Sequence, residues 1–118
     1  MGSQAMKVAI YIPSLRGGGA ERVMVTVANE LSERQWSVDL VLATAIGPYL
    51  SEVSERVRIV DLKSTRVIKS VPGLSTYLRT RRPDTLLAAM SHANMAASIA
   101  HWIARSPARL VLSERSMP

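Results

Sequence analysis

Two kinds of hydrophobic pattern alternate along the chain. Lys7-Val8-Ala9-Ile10-Tyr11-Ile12 is a nearly continuous apolar run, as expected of a strand covered on both faces. It ends at Pro13 and leads into Gly17-Gly18-Gly19. Ala20, Val23, Met24, Val27, Ala28 and Leu31 then recur at helical spacing and predict one apolar helix face. Glu21 in the first turn and Arg34 in the last complement the dipole of that helix. Residues 38–43 predict a second strand, and 58–62 a third, shorter and nearer an edge. Residues 71–82 predict a helix with Leu74 and Leu78 inward and a basic carboxyl end. Pro83-Asp84 stops it, because the residue before proline avoids the α region. Residues 85–90 read as the fourth strand and 110–112 as the fifth. Between them, 94–105 predict a helix apolar on most sides, carrying Met95, Ile99, Trp102 and Ile103, for which deep burial is expected. Neither repeats nor low-complexity segments interrupt this order.

Strands separated by helical crossovers make a parallel sheet with helices on both faces. The expected class is therefore α/β, a Rossmann-like parallel sheet of about five strands. The length of 118 residues suits one small domain of this kind. On such sheets ligands bind at the carboxyl ends of the strands, where the strand order reverses. Three stretches fall at those ends: residues 14–22, 91–94 and 113–115.

Composition narrows the chemistry. An apolar content of 47% with 20% charged residues is that of a globular domain rather than a disordered one. The absence of cysteine excludes a disulfide framework and thiolate metal sites and suits a cytoplasmic protein. No apolar run approaches the roughly 18 residues that span a bilayer, and no basic-then-apolar leader opens the chain. Met1-Gly2-Ser3-Gln4-Ala5 reads as a scar of recombinant expression (residues 1–5), with the natural start at Met6 and the domain over 6–118. The net charge of +6 favours anionic partners: phosphates, acidic lipid headgroups or nucleic acid. Its sources gather in the middle of the chain, at Arg56, Arg58, Lys63, Arg66, Lys69, Arg79, Arg81 and Arg82, where ordinary solvated surface charge also accounts for them.

The glycine loop is the sharpest local signal. Three glycines let backbone N–H groups approach an anion closely, and the following helix aims its unpaired N–H groups at the same point. A diphosphate fits; a tight strand-to-helix turn that needs glycine for geometry alone fits equally. The dinucleotide fingerprint fails, since counting from Gly17 its sixth position is Arg22, and Asp39 sits near the start of the second strand rather than its end. No Gly-Lys-Ser/Thr is present for an ATPase-type phosphate loop. A metal site on His92 and His101 is disfavoured, since nine helical residues advance about 900° and leave the two on opposite sides. His101 reads as a helix-surface residue. His92 reads as a loop residue after the fourth strand, able to contact a sugar hydroxyl or a phosphate, or simply to cap the helix beside Ser91. In Ser113-Glu114-Arg115 a carboxylate and a guanidinium could orient hydroxyls and anions, or form an exposed ion pair.

Gly17-Gly18-Gly19-Ala20-Glu21-Arg22 after the first strand resembles the loop of family 4 glycosyltransferases of the GT-B fold. Arg82-Pro83-Asp84 followed by Ser91-His92-Ala93-Asn94, and then Ser113-Glu114-Arg115, resemble the same family in the same order, so the resemblance spans residues 6–118. Ser116 departs from it, standing where related enzymes often carry asparagine. The resemblance implies a retaining transferase with two Rossmann-like domains, of which this chain holds part of the acceptor-side one. The rest of that domain and the donor domain are absent, and the fragment alone is expected to be inactive. It further implies a nucleotide-sugar as co-substrate, no cofactor, no metal, no nucleic acid, and a glycan or lipid-linked acceptor. Gly17, Gly18, Gly19, Glu21 and Arg22 would lie at the donor diphosphate and sugar. His92, Asn94, Glu114 and Arg115 would lie on the acceptor side; the catalytic residues are not assigned. The expected setting is the cytoplasm, with peripheral contact to an anionic membrane through the basic middle segment. Another Rossmann-like nucleotide enzyme, such as a sugar-nucleotide epimerase, and a non-catalytic binding module remain alternatives.

Overall fold

All five strands form, and all run parallel, in a computed structural model that describes residues 6–113. They are β1 (Lys7–Ile12), β2 (Ser37–Leu42), β3 (Arg58–Asp61), β4 (Thr85–Ala89) and β5 (Arg109–Ser113), in the spatial order β3-β2-β1-β4-β5. The chain builds outward from β1 to β3 and then returns to place β4 on β1's other side, with Ile10 level with Leu40 on one flank and Leu87 on the other. The order therefore reverses between β1 and β4. The third strand lies at an edge, as its short, polar sequence predicts.

Alternation along β1 sets the two layers, because successive strand side chains point to opposite faces. Val8, Ile10 and Ile12 join Leu40, Leu42 and the buried side of α1 (Gly19–Glu33). Ala9 and Tyr11 join Leu74 and Leu78 of α2 (Val71–Arg81) and the alanines of α3 (Ser91–Ala104) on the other face. Each fully buried leucine or isoleucine contributes about 1.5–3 kcal/mol relative to exposure.

The helix ends follow local chemistry. Arg34 caps α1 and Gln35 follows in a left-handed conformation (φ 72°), so Arg34 stands just beyond the last turn rather than within it. Pro72 opens α2, where its missing N–H is harmless. Arg82 closes that helix in the left-handed region (φ 49°), immediately before Pro83. The third helix begins at Ser91, three residues ahead of the expected Asn94, because Met90 turns sharply out of β4 and frees the next residues to be helical.

The expected deep burial of α3 is overturned on one side. Ala93, Ala96, Ala97 and Ala100 form its buried face, whereas Met95, Ile99, Trp102 and Ile103 are exposed. Small side chains let the helix axis approach α2 and the sheet closely, and the larger apolar residues are left pointing outward.

Across the sheet's amino edge, the Tyr77 hydroxyl of α2 donates to Asp39 Oδ2 of β2 at 2.6 Å. Burial, then the hydrogen bond and the negative charge of Asp39, push its pKa far above the ordinary tyrosine value. A folded-state pKa raised above the unfolded value of about 10 means stability present in full below that pH and lost as pH rises past it. Tyr77→Phe should therefore cost about 1.5–2 kcal/mol at neutral pH and make the alkaline loss of stability shallower. Urea-denaturation midpoints at neutral and alkaline pH check both. Tyr11, whose pKa burial also raises and whose hydroxyl pairs with Ser70, should keep that loss from vanishing.

Candidate functional site

The reversal between β1 and β4 brings the loop after β1 and the start of α3 together at the carboxyl edge of the sheet. A pocket of about 220 Å³ opens there, lined by Ala20, Val23 and Met24 of α1, by Ala89, Met90 and Ser91 at the β4–α3 junction, and by Ser113 at the end of β5. No carboxylate lines it among the described residues. A pocket of similar size beside Tyr77 and Asp39 sits at the opposite edge, where parallel sheets do not place ligands.

The glycine loop closes on itself. The backbone N–H groups of Gly17 and Gly18 both donate to Glu21 Oε1, at 2.8 and 2.7 Å, and Ser14 Oγ lies 3.5 Å from the other carboxylate oxygen. Glu21 is buried, and its carboxylate stands at the position where the sequence suggested an external anion. This is the carboxylate half of a capping box, the glycine at the cap having no side chain for the other half. Gly17 needs its residue type (φ 132°), whereas Gly18 at φ −81° does not. The N–H groups of Gly19, Ala20 and Glu21 open the helix without partners inside it, so the positive end of α1 remains available beyond the internal carboxylate.

The other expected site residues spread out. Arg22 is exposed, and its guanidinium lies 6.0 Å from the centre of the Tyr49 ring, on the flank of α1. His92 is not in a loop but in the first turn of α3, exposed, and lines a separate hollow of about 370 Å³ with Arg66, Val67, Ile68, Met95 and Ala96. Asn94 is buried; its Nδ2 donates to the Ser113 carbonyl at 3.2 Å and so ties α3 to the end of β5, while its Oδ1 has no partner among the described residues. His101 is half-buried rather than a plain surface residue, its Nε2 lying 2.8 Å from the Ala108 carbonyl across the α3–β5 turn. Glu114 and Arg115 lie outside the described residues.

Two residues that pattern reading passed over shape the site. Met90, at the pocket wall, has φ 83° and ψ 140°, a conformation that side-chain-bearing residues rarely adopt and that clusters at functional sites. Gly47, in the loop after β2, presses its backbone against Leu15 and holds the glycine loop from behind. Neither carries a sequence signal beyond its neighbours: a methionine after an apolar strand looks like more strand, and Gly47-Pro48 looks like any turn.

Among the described residues, no group of three or more histidine, aspartate and glutamate side chains is placed to hold a metal ion, and no helix is long and apolar enough to cross a membrane. Set against protein-family models and curated proteins, the chain matches none.

Proposed function

We propose that this chain is the acceptor-side portion of a retaining GT-B glycosyltransferase, which moves a sugar from a nucleotide-sugar to a glycan or lipid-linked acceptor at the cytoplasmic face of a membrane. The observation that carries this reading is the placement of the glycine loop and the start of α1 beside a pocket at the strand-order reversal that no carboxylate lines among the described residues. In the motif resemblance, the same loop lies at the donor diphosphate. With Gly17 and Gly18 already bonded to Glu21, the donors offered to a diphosphate are those of Gly19 and Ala20. Donors fixed in place before reaction stabilise charge developing on a leaving group. The rest of the acceptor-side domain, a donor domain and the catalytic residues belong to a longer parent protein in this reading, which calls for no cofactor or metal.

The test is release of nucleoside diphosphate from a panel of UDP- and GDP-sugars with glycan and lipid acceptors. Acceptor-dependent release by the parent, and none by residues 1–118, is the expected result. In the parent, Gly18→Val should reduce turnover at least tenfold while changing stability by no more than about 1 kcal/mol, because Gly18 is exposed in an ordinary extended conformation. Unchanged turnover at equal thermal stability counts against a role for the loop. One observation favours a second reading, a non-catalytic binding module: a loop whose donors are satisfied by its own Glu21 is what a purely structural turn also needs. Silence of the parent across the whole panel would favour that module; tight NAD binding would favour a dinucleotide enzyme.

A further inference from the structure

Charge is divided unevenly between the parts of this molecule. The stretch from Leu62 to Ser113, which builds α2, β4, α3 and β5, holds eight lysines and arginines against a single acidic residue, Asp84, and so exceeds the +6 of the whole chain. Asp84 is itself engaged by the Lys7 backbone N–H at 2.8 Å. Within that stretch, the outward face of α3 is apolar from Met95 onward, after the exposed Ser91 and His92 of its first turn. Met95, Ile99, Trp102 and Ile103 follow one another at helical spacing, with Trp102 79% exposed and Met95 62%. Ile68, 57% exposed, extends this row across the hollow it shares with Met95.

Cations stand at both ends of the row. Arg66 borders the Ile68–Met95 hollow. At the far end Arg79, Arg82 and Arg105 converge around the groove between the carboxyl ends of α2 and α3. No carboxylate lines either place among the described residues. A tryptophan-bearing apolar row flanked by arginines matches a surface that is anionic outside and hydrocarbon within, since the rings and aliphatic chains enter the headgroup boundary while guanidinium groups stay with the phosphates.

We propose that this face seats the protein on a membrane containing acidic phospholipids, with Trp102 and Ile103 entering the headgroup region and Arg66, Arg79, Arg82 and Arg105 meeting lipid phosphates. A second copy fits less well, because a symmetric pairing sets two strongly positive faces against each other. An apolar helix packed on the row would cover Trp102 and leave the flanking cations without a counterpart. The proposal goes beyond net charge in naming the apolar residues that must enter the bilayer; it shares the membrane setting of the function proposed above but rests on this face of α3 rather than on the glycine loop.

Vesicle binding tests it, with Trp36→Phe as background so that Trp102 is the remaining tryptophan. Phosphatidylcholine vesicles containing phosphatidylglycerol should bind at least about tenfold better than phosphatidylcholine alone, as expected when several basic residues meet anionic lipid. Trp102 emission should shift to the blue and be quenched by brominated acyl chains. Joint reversal of Arg79, Arg82 and Arg105 to glutamate should abolish binding. Trp102→Ser, at an exposed position that leaves the fold intact by circular dichroism, should weaken binding several-fold, in the chain and in the longer parent alike. Equal binding to both vesicle types, absence of quenching, or unchanged binding of Trp102→Ser overturns the proposal. So does blue-shifted emission before lipid is added, which sedimentation would assign to a second copy if the protein is dimeric and to cover by its own chain if it is monomeric. Membrane binding without sugar transfer would sink the function proposed above and leave this one standing.

Discussion

Gly47→Ala is expected to destabilise the protein by about 3–4 kcal/mol, combining backbone strain of about 1–3 kcal/mol with steric overlap. Gly47 sits at φ 124° and ψ 160°, a region that is essentially closed to residues with a side chain. A Cβ there would also overlap the Leu15 backbone carbonyl, which has no flexible side chain to move aside. The contact is part of a fixed junction: Leu15 N–H donates to the Ile46 carbonyl at 2.9 Å, and Tyr49 N–H donates to the Leu15 carbonyl at 3.2 Å. The loop after β2 thus grips the loop after β1, and pushing them apart would displace the approach to the glycines. Against a total stability of about 5–15 kcal/mol for a typical domain, that loss is large. Gly19→Ala is the matched control, since a Cβ there meets nothing within 4 Å and the residue is already helical. It should be neutral or slightly stabilising. Urea-denaturation midpoints for the two variants decide the matter, and a Gly47→Ala loss below about 1 kcal/mol would show that the junction can yield.

The sheet was legible in the sequence because its strands are buried runs bounded by strong breakers. β1 and β2 carry little but apolar residues through the core, and Gly17-Gly18-Gly19 and Pro83 punctuate the chain where helices start and stop. The carboxyl edge followed from that topology, so residues 14–22 and 91–94 were placed at the right end of the sheet. What residue types could not reveal was who bonds to whom. Glu21 reads equally as a ligand for a sugar and as a cap for its own loop, and the hydrogen bonds to Gly17 and Gly18 assign its carboxylate to the loop in this structure. Asn94, expected to open the helix and to lie on the acceptor side, is a buried tether to Ser113, because the helix begins earlier than its sequence suggests and carries Asn94 beneath the surface. Gly47 was invisible for a different reason: its necessity comes from a neighbour 32 positions earlier, at Leu15.

Ala97→Leu is expected to cost about 3 kcal/mol, at the upper end of ordinary overpacking, whereas Ile99→Ala two positions along should cost less than about 1 kcal/mol. On hydropathy alone the order should be the reverse, since Ile99 is the larger apolar residue and Ala97 a common surface type. Periodicity cannot separate the two orientations of a helix that is apolar on most sides. The packing separates them: Ala97 is fully buried with Ala93, Ala96 and Ala100 against α2 and the sheet, while Ile99 is 36% exposed. Three added carbons at Ala97 meet atoms in every direction in an interior packed to near-crystalline density, so α3 must lift from β4. Lifting it would pull Asn94 from the Ser113 carbonyl and move the Met90–Ser91 wall of the pocket. The comparison is made by thermal or urea denaturation of both variants. If Ile99→Ala proved the more costly, the apolar row would face inward, and both the close packing of α3 and the membrane-seating surface built on its outer side would fall together.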